Sequence, residues 1–186
     1  GIKTGDDGYM RRFFWEFDKL TRRWRPLQST VEDHALYGGR ESVIDWQTEG
    51  RDCARLQGLG LLGKSGVIVS QMRDLPCTLY TGDLFDSNVA PVAPNNQQHL
   101  AALWAFCSSD EFRKSIREVD QKVAVANQTV TLVPFDLAHW QRVAAEKYPN
   151  GLPKPHSNDP TQWLFNGHPK GSDHPLPVAV ARLVGY

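Results

Sequence analysis

Between residues 66 and 117 the hydrophobic period changes, and that change restricts the possible folds more than any other feature of the chain. Three short β-branched or aromatic runs come first, at 67–70 (VIVS), 77–80 (CTLY) and 88–92 (NVAPV), separated by Asp/Pro and Thr/Gly/Asp clusters. Such runs and breaks are the pattern of strands joined by tight connections. The spacing then shifts to three and four: Leu100, Leu103, Trp104 and Phe106 or Cys107 share one face of a helix. Ser109 or Asp110 follows as the cap of a second helix carrying Phe112, Ile116 and Val119. The middle of the chain is therefore expected to be a small sheet with helices packed on it, and the rest must dock on that unit.

The length and composition support one fair-sized core. The chain has 186 residues, 40% of them hydrophobic and 10% aromatic, which is too apolar for extended disorder. No apolar run approaches the roughly 20 residues of a membrane span, and no signal-peptide pattern opens the chain. Cys53, Cys77 and Cys107 are far apart and odd in number, so they read as reduced thiols of a cytoplasmic protein rather than a disulfide framework or zinc site. Lys and Arg balance Asp and Glu at 21 each. A stand-alone non-specific nucleic-acid binder is usually basic, so any basic surface here must be gathered on one face.

On either side of the central unit the elements follow from local pattern. Phe13, Phe14, Trp15 and Phe17 suit a strand, with Arg11 and Arg12 before it. Lys19, Arg22, Arg23 and Arg25 interleave with Trp15 and Trp24, a mixture able to track phosphates and stack on bases. The glycine turn Tyr37-Gly38-Gly39-Arg40 before Val43-Ile44-Asp45-Trp46 reads as a hairpin or strand–loop–strand. Residues 129–135 alternate and are β-branched, so a strand ending near Pro134 is expected. Asp136 then resembles the N-cap of an amphipathic helix over 137–147. From residue 149 the composition turns to Pro, Gly, Asn and Ser. Trp163-Leu164-Phe165 reads there as an anchor and 176–186 as a short apolar helix. The expected architecture is α+β, with a mixed, mostly antiparallel small sheet over 1–148 and a Pro-rich extension over 149–186.

Residues 58–65 (GLGLLGKS) match the G-x-x-x-x-G-K-[ST] phosphate loop in letters. That loop works only between a buried strand and a helix whose first amides meet the phosphates. Here residues 51–57 are not a buried strand, and the strand formers Val67-Ile68-Val69 follow instead of a helix. The segment is read as a turn feeding Val67, with Lys64 exposed. The six His are scattered, and no H-E-x-x-H or G-x-S-x-G pattern is present. The chain thus displays no catalytic constellation, no metal site and no cofactor site of its own. Binding groups are easier to find. Gln71, Arg73, Asn88, Lys122 and Asn127 lie at strand ends or turns around the central unit. Gln, Asn and Arg can make bidentate contacts to base edges, and Lys and Arg contact phosphates.

These residues, in this order, resemble a known family. Gly1-Ile2-Lys3-Thr4-Gly5-Asp6-Asp7 followed by Arg12-Phe13-Phe14-Trp15-Glu16 is similar to the start of the C-terminal target-recognition (specificity) region of adenine-N6 DNA methyltransferases. The types in question are the TaqI-like and type IIG restriction–modification enzymes and the phage-defence methyltransferases. Tyr37-Gly38-Gly39-Arg40, Gly63-Lys64 before Val67-Ile68-Val69-Ser70, Phe85-Asp86-Ser87-Asn88, the helix from Leu103 to Ser109, and Asn127 before Val133-Pro134 follow in similar order. The resemblance covers most of 1–148. It implies a recognition domain that binds double-stranded DNA for an upstream SAM-dependent methyltransferase domain, in a parent enzyme with or without endonuclease activity. The Asn/Asp-Pro-Pro-aromatic catalytic motif of that domain does not occur in this chain. The implied DNA-contacting set adds Lys3, Thr4, Arg11, Arg12, Arg40, Lys64 and Ser70 to the five residues above. A protein-interaction module, docking another subunit through the C-terminal extension, is the alternative.

Overall fold

The computed structural model describes residues 1–17, 19–154 and 180. The expected anchor at 163–165 lies outside the described residues, as does the expected terminal helix apart from Val180. In chain order the strands are β1 (Ile2–Lys3), β2 (Arg11–Phe13), β3 (Trp24–Gln28), β4 (Ser42–Asp45), β5 (Arg55–Leu56), β6 (Gly66–Ser70), β7 (Cys77–Tyr80), β8 (Leu84–Phe85) and β9 (Val89–Val92). The helices are α1 (Asp7–Met10), α2 (Leu100–Cys107), α3 (Asp110–Val119) and α4 (Leu137–Lys147). The architecture is α+β with small, mostly antiparallel sheets. Among the described residues the strands form three sheets, ordered β1-β5, β2-β4-β3-β8 and β7-β6-β9. Only the β3–β8 pairing within them is parallel.

Strand β6 is covered on both faces. Val67 and Val69 point into a core built with α2, α3 and α4, which includes Trp104, Phe106, Phe112, Ile116 and Trp140. Ile68 points the other way and packs with Tyr80, Phe85 and Val89. All five residues of β6 are buried, which is why this stretch reads as a continuous apolar run rather than an alternation. Phe85 belongs to β8, so the second face of β6 ties the three-stranded sheet to the four-stranded one. A third cluster, with Ile2, Leu27, Ile44 and Leu84, holds the N-terminal strand and Trp46 against the larger sheet.

The helices start where local chemistry places them. The Ser109 hydroxyl accepts the Phe112 amide at 3.2 Å, and the Asp136 carboxylate accepts the His139 amide at 3.0 Å. Helix α2 is buried on more than the one face its spacing suggests, from Ala102 through Cys107. It lies between β6 and α4, and its Trp104 indole donates to the Tyr148 hydroxyl at 2.7 Å. Val119, expected in the core, is instead 56% exposed at the last position of α3.

Two local readings need correction. Residues 129–135 are not a strand: a 3-10 turn spans Thr129–Thr131. Val130 and Val133 are buried while Leu132 is 68% exposed, so burial repeats every three residues, as in a helical turn. The expected strand at 13–17 ends at Phe13 and becomes a 3-10 turn over Phe14–Glu16, because the Glu16 carboxylate accepts the Phe13 amide at 2.7 Å. Trp24–Gln28, to which the sequence pattern assigned no element, forms a strand inside a sheet that includes Pro26. Pairing with β8 begins only at Leu27, so the missing Pro26 donor falls where the strand has no neighbour on that side.

Gly66 opens β6 because β9 passes close by: an added Cβ would lie 2.2 Å from the Val92 carbonyl oxygen. Gly66→Ala is therefore expected to lower the thermal midpoint, whereas Gly60→Ala, with nothing within 4 Å of its Cβ position, leaves it unchanged. Ile68→Ala, which empties the contact between the two sheets, is expected to cost about 3 kcal/mol in urea unfolding.

Candidate nucleic-acid interface

The end of β6 that leaves the core carries a compact polar rim. Gln71 follows the last residue of the strand, and its backbone is held from two sides. Its amide donates to the Asn88 carbonyl at 3.2 Å, and its carbonyl accepts the Val125 amide at 2.9 Å. The Gln71 side-chain amide donates to the Asn127 side-chain oxygen. Three segments distant in sequence thus meet at one residue: the exit of β6, the start of β9, and the loop over 120–127.

That loop is organised by Asp120. Its carboxylate accepts the Lys122 amide at 3.1 Å, the Ala126 amide at 3.3 Å and the Thr129 hydroxyl at 3.1 Å. The Lys122 and Ala126 amides hold this carboxyl below its ordinary range, so it stays ionised and keeps its acceptors at neutral pH. Val125, buried beneath, anchors the loop to the helical core. Arg117, on the last turn of α3, clamps the other side. It donates to the Lys122 carbonyl at 2.5 Å and to the Arg73 carbonyl at 2.6 Å.

The β6–β7 turn completes the rim. Arg73 and Leu75 both have positive φ, at 58° and 56°, an unfavourable conformation for side chains with a Cβ. Leu75 is buried in the helical core, Arg117 holds the Arg73 carbonyl, and Arg113 pairs with Asp74 at 3.2 Å. The turn thereby projects Met72 and the 74% exposed Arg73 side chain, whose guanidinium approaches Glu32 at 4.0 Å.

Asn88 joins this rim to a cleft of about 250 Å³ lined by Lys3, Thr4, Arg11 and Asp86. Asp86 is buried, accepts from Arg11 at 2.9 Å and from the Asn88 amide at 2.7 Å, and so sets the start of β9. Lys3 is exposed beside it. Arg11 also donates to the Ser42 hydroxyl at 2.9 Å. Arg12 bonds the carbonyls of Gly8 and Arg11, and Thr4, which is buried, bonds Asp7. Thr4 and Arg12 thus serve the N-terminal turn, and Arg11 ties β2 to Asp86 and Ser42.

Three other expected contact residues sit elsewhere. Ser70 is buried, and its hydroxyl holds both backbone groups of Val31. Arg40 is only 2% exposed. It donates to the Thr81 hydroxyl at 2.7 Å, lies 3.9 Å from Asp83 and faces the Tyr37 ring, and burial lowers its pKa. Its charge is spent inside the scaffold, because a lone cation there must be paired. Lys64 is exposed but lies at the opposite end of β6, roughly 20 Å from Gln71 along an extended chain. Around it the phosphate-loop lettering forms a 3-10 turn over Leu59–Leu61, and the Gly63 and Lys64 amides are already bonded to Gly82 and Leu61.

Gln71, Arg73, Asn88, Lys122 and Asn127 thus share one edge, with Lys3 and the cleft beside it. The organising residues Asp120 and Arg117 were missed from sequence. The only signal for them was an acidic residue two positions before Lys122 and a basic one on the last turn of a helix. Among the described residues no group of His, Cys, Asp and Glu is placed to hold a metal ion, and no helix is long and apolar enough to cross a membrane. The three cysteines are free thiols. In comparison with known proteins, no family model and no curated protein matches the chain.

Arg40 and Arg73 separate scaffold from surface. Arg40→Ala leaves Asp83 without its buried neighbour and is expected to cost about 3 kcal/mol of folding stability. Arg73→Ala is expected to change stability by less than about 0.5 kcal/mol. Chemical denaturation of the two variants side by side checks both.

Proposed function

We propose that this chain is a DNA sequence-recognition domain, serving an adenine-specific, SAM-dependent methyltransferase domain that acts on the site it selects. The single observation that supports this reading most is the convergence of Gln71, Arg73, Asn88, Lys122 and Asn127 on one rigid edge. These side chains combine amides able to read base edges with cations able to meet phosphates. A protein that reads sequence needs such groups fixed before contact, because ordering them on binding costs affinity. The Asp120 and Arg117 clamps hold the backbone beneath Arg73, Lys122 and Asn127.

The zero net charge fits a division of labour. Most affinity for duplex DNA comes from phosphate neutralisation, and base contacts add selectivity. In this reading the methyltransferase domain supplies most of the grip and extrudes the adenine from the stack, while the rim positions the duplex. SAM belongs to that catalytic domain.

Mapping N6-methyladenine in cells that carry the full-length protein tests this. Gln71→Ala and Arg73→Ala are expected to broaden or shift the methylated sequence without unfolding the protein. An unchanged methylated sequence in both variants, or no adenine methylation with the unaltered protein, would overturn the reading.

A further inference from the structure

We infer that the segment from Arg11 to Arg25 is a second nucleic-acid surface, which takes an unpaired strand by stacking a base on Phe13 and meeting its phosphates with Lys19, Arg22 and Arg25. This goes beyond the recognition reading above and does not rest on the Gln71 edge. The segment carries six basic and two acidic residues, in a chain whose net charge is zero. Lys19, Arg22 and Arg25 are exposed and make no hydrogen bond or ion pair with another described residue. Their charge is not used by the fold. Arg23 differs, since it donates through Nε to Asp45 at 2.9 Å and lies over the Trp24 ring.

An aromatic platform stands in the same segment. The Phe13 and Trp15 rings are stacked, with centroids 4.6 Å apart and planes 4° from parallel. Trp15 in turn meets Phe14 edge-on at 5.1 Å, and Phe14 is fully buried. The Glu16 carboxylate accepts the Phe13 amide at 2.7 Å and fixes the turn that carries these rings. Trp15 covers one face of Phe13, yet Phe13 remains 48% exposed. A cleft of about 350 Å³ opens beside it, bounded by Arg11, Arg12 and Ser42. The two carboxylates of that cleft are engaged, Asp7 by the Thr4 hydroxyl and Glu16 by the Phe13 amide and by Arg12 at 3.8 Å. A ring held in this way needs little ordering on contact.

Strand register puts ring and cation on one face of the sheet. Phe13 lies opposite Ser42, and Ser42 opposite Leu27, so the three point to the same side. Arg25 precedes Leu27 by two residues and shares that side. Strand spacing separates Phe13 from Arg25 by roughly 12 Å at Cα. Duplex DNA keeps its base faces inside the stack, so a surface that only tracks a duplex backbone has no use for an open ring. Cations interleaved with an exposed ring suit a single strand, whose bases stack on it whatever their identity. Uncompensated cations also favour a polyanion over a protein partner, because charged residues are depleted at the centre of protein interfaces.

The test is fluorescence anisotropy of a labelled oligothymidylate titrated with the full-length protein, beside duplex DNA and an abasic oligomer of equal length. The unaltered protein is expected to bind oligothymidylate more tightly than the abasic oligomer. Phe13→Ala should weaken oligothymidylate binding by about five- to a hundredfold, with duplex binding and salt dependence kept. Phe13→Trp should retain the affinity. Arg22→Ala and Arg25→Ala should each lower the slope of log K against log salt by about 0.7. No binding of oligothymidylate, equal binding of the abasic oligomer, or the same loss for duplex and single strand in Phe13→Ala overturns the inference. Unchanged oligothymidylate affinity in Phe13→Ala overturns it too, and a change in that variant's sedimentation then assigns the ring to a protein interface. None of these outcomes bears on the methylated sequence of the Gln71 and Arg73 variants, so the recognition reading stands or falls separately.

Discussion

The burial of β6 on both faces is the constraint on which the rest of the structure depends. Val67 and Val69 close the helical core, and Ile68 closes the contact with Tyr80, Phe85 and Val89. A strand buried this way cannot slip by one residue, since slippage would exchange its two faces and both are filled. Its register therefore fixes where β7 and β9 end. It also fixes the point at which the chain leaves the core, at Gln71. The polar rim is a consequence of that register.

Rigidity continues outward from the strand. The turn after Gln71 carries two residues with positive φ, and such strain persists only where surrounding contacts over-determine it. Leu75 in the core and Arg117 on the Arg73 carbonyl provide those contacts. The loop over 120–127 is held by one carboxylate rather than by strand pairing. The surface that would meet a ligand thus rests on a few charged hydrogen bonds, each stronger than a neutral one. It has limited freedom to adapt, which suits selective recognition more than permissive binding.

Much of the scaffold was legible because periodicity and caps act locally. Leu100, Leu103 and Trp104 announced α2, Ser109 and Asp136 announced the next two helix starts, and the runs around Val67, Cys77 and Val89 announced their strands. Errors arose where a local pattern had two solutions. Thr129 to Val133 alternates like a strand, but the hydroxyl of Thr129 bonds Asp120 and the segment turns. The β3 strand was not assigned from sequence, and its Pro26 is tolerated because its neighbour β8 starts one residue later. Site legibility followed the same division. Gln71, Arg73, Asn88, Lys122 and Asn127 are polar groups at element ends, and the fold gathers them. Arg40 and Lys64 carry the same chemistry, yet one is interior and the other lies at the far end of β6. Residue type cannot reveal that, because burial of a cation depends on partners such as Asp83 and Thr81 that are distant in sequence.

In the proposed function the Gln71 edge is the surface that meets DNA. Hydrogen exchange of the full-length protein with and without duplex DNA tests it most directly. Slowed exchange is expected in the segments 70–74 and 120–127, with the segment 58–65 around Lys64 unchanged. Protection confined to 58–65, or none at the Gln71 edge when DNA is bound, would contradict it.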